Sequence, residues 1–425
     1  METSAEGINP VEPAFWVRPA EAIEADLATL RALPALPFRP EPELVEGTPI
    51  QQGPGYWAIT RHADILEISK HPHVYSSASG ITILDSPPQF NEYFGSMIAM
   101  DDPRHARLRK LVAAGFTAHM LTRLEDSVQR LAAEIVDGVA EVGEVDFVTE
   151  VAAAFPLRII CEMMGIPSSQ YGYVLERTNI ILGSSDPEYV AEKENILMAL
   201  LQAGAELAQL MADVAESRKG RSGDDLTTAL INAEVDGDRL TSAELASFFI
   251  LLVVAGNETT RNAISWGLQM LTDNPDQRAI WAADFEHVAP TAVEEIVRLA
   301  SPVTYMRRTA TCETELRGTQ IRAGDKLCLL YLAANRDEDV FPNPYRFDVL
   351  RHPNHHLGFG GPGPHFCLGA HLARREITVM FRELFRRLPD IQAAGRPTPL
   401  MASFIHGVKH LRAVFTPAQG ARPRG

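Results

Sequence analysis

Apolar residues recur at helical spacing along most of this chain, and each such run predicts a helix. The runs are Pro19 to Leu33, Arg61 to Ser69, Asp102 to Val142, Phe155 to Met164, Ser169 to Leu182, Pro187 to Arg218, Thr241 to Leu271, Pro290 to Leu299 and Leu368 to Leu388. Asp102-Pro103 is a start signal, and Thr241-Ser242-Ala243-Glu244 reads as a capping box. Alternation in Tyr56-Trp57-Ala58-Ile59-Thr60 predicts a strand. Shorter strands are expected at Thr304 to Thr311, Glu315 to Leu316, Lys326 to Leu332, Ser403 to His406 and His410 to Phe415. From Val74 to Met100 periodicity is weak, which predicts a long loop. Its apolar residues, among them Ile81, Leu84, Phe94 and Met97, serve either to pin the loop to the core or to form a flexible pocket wall. The pattern as a whole predicts a mainly α protein with a small β subdomain. One domain is expected over residues 14–417, with residues 1–13 disordered and 418–425 a flexible tail.

Composition narrows the function classes. The 425 residues are 46% hydrophobic, ample for a large core. A formal net charge of -16 argues against nucleic acid as a partner. Cys161, Cys312, Cys328 and Cys367 show no CxxC spacing, so neither zinc nor a disulfide framework is indicated and a reducing cytosol fits. Met1 to Pro19 lacks the basic and apolar parts of a signal peptide. Phe248 to Ala255, the most apolar run, is too short to span a bilayer. A soluble, cytoplasmic protein without a membrane span is expected.

Candidate chemistry concentrates in Gly358-Phe359-Gly360-Gly361-Pro362-Gly363-Pro364-His365-Phe366-Cys367-Leu368-Gly369. Glycines allow a backbone to approach a flat ligand closely. Cys367 stands just before a predicted helix, where N–H groups and the helix dipole favour a thiolate, a suitable axial ligand for haem iron. A lone Cys in such a turn can also be purely structural. Ala255-Gly256-Asn257-Glu258-Thr259-Thr260 interrupts the most apolar helix with polar groups, either as an internally satisfied kink or as a reactive groove. Glu295 and Arg298, at i,i+3, can form an ion pair.

The Cys367 stretch resembles the haem-ligand loop of the cytochrome P450 family, with one residue more than usual between Phe359 and Cys367. The resemblance runs from Tyr56 onward. Glu92 to Ile98, Ala246 to Thr260 and Pro302 to Arg308 are most similar to mycobacterial members that hydroxylate methyl-branched lipids and sterol side chains, a group that tends to carry the longer loop.

The resemblance implies haem b (iron protoporphyrin IX) between the long helix and the Cys loop. Cys367 would be the metal ligand, and Ala255, Gly256, Phe359, Gly360 and Gly369 would adjoin the cofactor. His105, Arg109, Arg308 and His365 would meet its propionates, with Arg307 as the alternative to Arg308. Thr259 and Glu258 would deliver protons to O2. Glu295 and Arg298 would be joined by Arg351, or failing that Arg346, in a structural role. Ile81, Leu84, Phe94, Met97, Val253, Val303, Met306 and Phe404 would line the substrate pocket. The implied activity is insertion of one oxygen atom into a C–H bond of an apolar lipid near its terminal carbon. Electrons would come from a ferredoxin and an NAD(P)H-dependent ferredoxin reductase, docking on a basic patch of Arg107, Lys110, Arg374 and Arg375. A compact terpene or polycyclic substrate, a peroxide-driven enzyme and a non-catalytic haem sensor or carrier are the alternatives.

Overall fold

The computed structural model describes residues 5–43, 52–116, 118–192, 196–221 and 223–418. Among them, the first half holds α1 (Ala20–Ala32), β1 (Phe38–Arg39), β2 (Tyr56–Ile59), α2 (His62–Lys70), β3 (Tyr75–Ser76), α3 (Pro88–Gly95), α4 (Arg104–Gly115), α5 (Ala118–Val139), β4 (Glu144–Asp146), α6 (Ala154–Met164), α7 (Tyr171–Gly183) and α8 (Ile196–Arg218). Then come α9 (Leu226–Asn232), α10 (Ser242–Asp273), α11 (Pro275–Ala283), α12 (Phe285–Ala300), β5 (Tyr305–Ala310), β6 (Thr314–Leu316), β7 (Thr319–Ile321), β8 (Lys326–Leu330), α13 (Tyr331–Ala334), α14 (Ala370–Arg387), β9 (Gln392–Ala393), β10 (Thr398–Pro399), β11 (Val408–His410) and β12 (Arg412–Val414).

α10 is the axis of the helical part. Its capping box is complete: Glu244 N–H donates to Thr241 Oγ1 at 3.2 Å and Thr241 N–H donates to the Glu244 carboxylate at 2.8 Å. The helix is apolar on nearly every side, as a core helix must be, and it packs against α3, α6, α7, α8, α12 and α14. By length and mean hydropathy both α8 and α10 would pass as bilayer spans, so the expectation that no run is long enough needs correcting. In this fold α10 is buried core, and α8 turns Ala203, Leu207, Met211 and Val214 inward.

The largest sheet has the order β1-β2-β8-β5-β3, with β2 and β8 parallel and the remaining pairs antiparallel. Ile8, Val11 and Trp16 pack on this sheet together with α1. Residues 1–13 were expected to be disordered, but from Ala5 onward they form short helical turns, and Trp16 Nε1 donates to Pro10 O at 2.7 Å. Only contact with the distant sheet explains this order, and nothing in the local pattern announces it.

Four other expectations change. The stretch from Val74 to Met100 contains α3 and a helical turn at Ser96–Ala99. An eight-residue helix is too short to display periodicity; its own Phe90 and Phe94 rings meet at 4.6 Å, and Ser247 Oγ of α10 donates to Glu92 O at 2.6 Å and ties it to the core. The run Asp102 to Val142 is divided into α4 and α5; α4 ends at Gly115, which packs so tightly on α9 that a Cβ would come 2.9 Å from Leu230. α12 begins at Phe285 and holds Pro290 inside it, and Phe285 stacks on Trp281 of α11 at 5.2 Å. Ser403 to His406 forms no strand, only a single bridge between Val303 and Ile405.

Candidate functional site

The Cys loop is a tight finger. Cys367 N–H donates to Phe359 O at 3.0 Å, Gly360 N–H to Leu357 O at 2.9 Å and Phe366 N–H to Gly363 O at 3.2 Å. Gly360 has φ +85°, a conformation that resists side chains. The finger rests on α2, where a Cβ on Gly361 would come 2.5 Å from Ser69 Oγ and one on Gly363 2.3 Å from Ser69 O. Cys367 lies deep among protein atoms yet keeps exposed surface, because open space faces it. Crowding pushes its thiol pKa up, while the Gly369 and Ala370 N–H groups, Arg109 and Arg374 pull it down.

α10 borders open space too. Whereas Leu251, Val253, Asn257, Glu258 and Thr260 are buried, Leu252, Gly256 and Thr259 are half-buried and Ala255 is exposed. Their i, i+3, i+4, i+7 spacing makes one stripe. Thr259 Oγ1 donates to Ala255 O at 2.7 Å. Leu252 belongs to this stripe and was missed, although the spacing back from Ala255 and Gly256 could have found it. Gly256 has another reason to be bare: a Cβ there would come 2.7 Å from Ile160 Cδ1 of α6. Glu258, next in sequence to Thr259, points elsewhere. It is 1% exposed and ion-paired with Arg261, burial pushing its carboxyl pKa up and the guanidinium opposing.

Four basic groups converge beside the loop. The His105 and His365 rings lie 4.3 Å apart. His105 Nδ1 faces Asp102 at 3.2 Å and His365 Nε2 faces Ser77 Oγ at 3.2 Å, but His105 Nε2 and His365 Nδ1 are buried with no partner. Arg109 Nη2 donates to Phe366 O at 2.8 Å. Arg308 is buried, donates to Arg307 O at 2.8 Å and makes no ion pair among the described residues. Arg307 is committed to Asp85 at 2.8 Å, so of the two neighbours Arg308 is the one left for an anion. Burial, Arg308, His105 and Arg109 push the His365 pKa down to about 3. Two orphaned imidazole nitrogens, either of which can donate in the right tautomer, and guanidiniums without a counter-charge suit the two carboxylates of a haem, and the exposed Cys367 suits its metal.

Behind the loop, Glu295 holds two arginines. Arg298 donates to it at 2.7 and 2.8 Å, and Arg351 Nε lies 3.0 Å from both carboxylate oxygens. Asp348 N–H and Asn354 Nδ2 add donations at 3.1 Å each. Arg346 contributes only its carbonyl, which accepts from Arg351 at 3.0 Å. Asn335, whose carbonyl accepts from Arg298, also accepts from Leu357 N–H at 2.7 Å and so carries the knot into the Cys loop.

The apolar candidates divide. Ile81, Leu84, Phe94, Val303, Met306 and Phe404 are half-buried. Met97 at 4% and Val253 at 0% are enclosed by the core and keep almost no surface for a ligand, which corrects their assignment to the pocket. The basic patch also needs correction. Arg107 is paired with Asp238 and Glu244, Lys110 with Asp236, Arg374 with Glu294 and Arg375 with Glu125, so this face carries matched rather than bare charge. A surface cleft of about 810 Å³ beside α5 and α6 is lined by Arg123, Arg130 and Arg218, each already paired with an acid.

Sequence reading also passed over Glu376 on α14. It is 2% exposed, bonded to Thr260 of α10, and burial pushes its pKa up to about 8. The folded chain then keeps a proton that the unfolded chain releases near pH 4, so stability should fall as pH rises from about 4 to about 8, by up to about 1.4 kcal/mol per unit. Glu376→Gln, neutral throughout, should melt increasingly above wild type across that window. Parallel melting curves at pH 5 and pH 8 would contradict this.

The family model for cytochrome P450 matches residues 59–282 and 287–392. A methyl-branched lipid omega-hydroxylase of Mycobacterium tuberculosis is 48% identical over 418 residues, covering 98% of this chain and 96% of that protein. A steroid C26-monooxygenase of Rhodococcus jostii is 38% identical, covering 98% and 87%. The solved structure of a Mycobacterium marinum cytochrome P450 in complex with pseudoionone superposes with a TM-score of 0.90 at 44% identity, over 97% of this chain and 99% of that one. An exposed thiol on a glycine finger, a cationic cradle beside it and matches of this extent lead to one conclusion: the chain belongs to the cytochrome P450 family of monooxygenases.

Proposed function

We propose that this enzyme uses haem b to hydroxylate a methyl-branched fatty acid, isoprenoid or sterol side chain at or near its terminal carbon. The observation that carries the cofactor part is the unmatched cradle of His105, Arg109, Arg308 and His365 beside exposed Cys367. When bound, the haem supplies activation of O2. Cys367 would hold it through sulfur, in a loop shaped by Phe359, Gly360 and Gly369. Ala255 and Gly256 would leave room on the α10 side. Thr259 would hold a proton at Oγ1 on the open stripe, and Glu258 would bring protons inward. Ile81, Leu84, Phe94, Leu252, Val303, Met306 and Phe404 would exclude water and orient an apolar chain. Each CH2 buried there contributes about 0.8 kcal/mol, so a long chain can bind with few polar contacts.

The names of the two relatives, one for a methyl-branched lipid and one for C26 of a steroid, support the substrate class. The sequence carries neither a Rossmann fingerprint nor an iron–sulfur cysteine spacing, which supports delivery of electrons by a separate ferredoxin and its NAD(P)H-dependent reductase. Incubation of the haem-loaded enzyme with such a redox pair, NADH and a methyl-branched fatty acid should yield a product one oxygen heavier, hydroxylated at the chain end by mass spectrometry. Turnover of small ring compounds with none of any long apolar chain would overturn the substrate class.

A further inference from the structure

The stretch from Ile81 to Leu84 runs along β5 beyond its pairing with β3, and Arg307 N–H donates to Ile81 O at 2.8 Å. Thr309 of β5 stands opposite Lys326 of β8, and Arg307 lies two residues before Thr309. Arg307, Thr309 and Lys326 therefore share one face of the sheet, and Arg308 takes the other. Both cations on the shared face are buried, and both reach one acid: Arg307 Nη1 meets Asp85 Oδ1 at 2.8 Å and Lys326 Nζ meets Oδ2 at 2.7 Å. They also gather the backbone that leads to it. Arg307 Nη1 lies 3.4, 3.5 and 3.5 Å from the carbonyl oxygens of Thr82, Ile83 and Leu84, and Lys326 donates to Ile83 O at 3.1 Å. Lys326 has a second counter-charge in buried Glu41, whereas among the described residues Asp85 is the only acid paired with Arg307. Burial works to raise the Asp85 pKa, but the two cations overcome it and hold the carboxyl below its usual range. Beyond Asp85 the chain has little freedom. Pro87 and Pro88 fix φ where α3 opens, and Asn91 Nδ2 donates back to Ser86 O at 3.1 Å. α3 then lies against α8 at Gly204, where a Cβ would come 2.8 Å from both the Tyr93 and the Phe94 ring. A position fixed at Asp85 is thus carried on to Phe94.

We propose that Asp85, clasped between Arg307 and Lys326, is a positioning residue that fixes the wall carrying Ile81, Leu84 and Phe94 and thereby decides which carbon of an apolar chain is offered for reaction. The inference rests on the proposed function, in which those three side chains line the pocket. The two adjacent arginines then divide the work: Arg308 serves the cationic cradle and Arg307 the wall, on opposite faces of one strand. An apolar chain offers few polar anchors, so the shape of the walls sets how deep it lies. A displacement of about 1 Å is enough to change which bond reacts.

The test uses haem-loaded protein and the variants Asp85→Ala and Asp85→Asn. The Asp85 side chain is half-exposed, and Asp85→Asn, which keeps its size and one acceptor, carries the test if Asp85→Ala fails to fold. Amide hydrogen exchange followed by mass spectrometry should be faster by about tenfold or more in peptides covering residues 81–95 of Asp85→Ala, intermediate in Asp85→Asn, and unchanged in α5 and α14. During turnover of a methyl-branched fatty acid with the redox pair, the ratio of terminal to subterminal hydroxylation should fall by about fivefold or more in Asp85→Ala and by less in Asp85→Asn. Haem content should stay at the wild-type level in both. Wild-type exchange over residues 81–95 overturns the inference, as does a wild-type product ratio in both variants. Exchange that quickens equally throughout the chain, or haem lost along with the product ratio, also overturns it, because Asp85 would then only stabilise the fold. If the wild type oxidises no offered chain, the proposed function fails, while the exchange experiment still decides whether Asp85 holds the wall.

Discussion

Cys367→Ser is expected to abolish the absorption band typical of a thiolate haem in the reduced carbon monoxide complex and, with it, all substrate oxidation. The finger does not depend on sulfur: its hydrogen bonds run through the backbone of Leu357, Phe359, Gly363 and Cys367. The knot at Glu295 and the packing of Gly361 and Gly363 on α2 are also untouched. The variant should therefore fold and keep its melting temperature near that of wild type without cofactor. What it loses is a soft anionic ligand whose electron donation favours O–O cleavage. Cys367→His should lose the same band. Survival of the band in either variant would show that another group holds the metal.

Glu295→Ala should be the most destabilising single change behind the loop. Glu295 and Arg298 are wholly buried and Arg351 nearly so, with side chains 0%, 0% and 8% exposed. Removing the carboxylate leaves two guanidiniums in the interior without a counter-charge. Breaking a buried pair in this way costs about 3–5 kcal/mol, against a total stability of about 5–15 kcal/mol for a typical domain. Little haem-loaded protein should be recovered, and what is recovered should melt far below wild type. Arg351→Lys should be milder, because an ammonium can still reach Glu295. It cannot also satisfy the carbonyls of Pro342, Asn343 and Arg346, to which Arg351 now donates. Haem content and thermal unfolding measure both effects. A Glu295→Ala protein that melts with wild type would remove the knot from any account of the fold.

Local pattern alone determined the features whose causes are local. The capping box at Thr241 and Glu244 closes within four residues, so the start of α10 could be read from the chain. Glu295 and Arg298 meet because i,i+3 positions share a helix face. The glycines of the Cys loop and the helix after it are likewise short-range matters, and the mainly α architecture follows from many such runs. Tertiary structure decided whatever depends on partners far along the chain. Arg307 and Arg308 are adjacent on β5, and successive side chains on a strand point to opposite faces. Only the position of Asp85 shows which of them is already neutralised. Arg351 rather than Arg346 reaches Glu295 because the turn around Asn343 folds one side chain inward and leaves the other only a carbonyl to offer. Met97 and Val253 looked like pocket walls because apolar residues read alike whether they face a ligand or the core. The basic patch looked bare because Asp236, Asp238, Glu244 and Glu294 lie from 80 to 137 residues away from the cations they neutralise. Charge pairing and burial are set by distance in space, and a linear pattern reports them only where the chain itself brings the groups together.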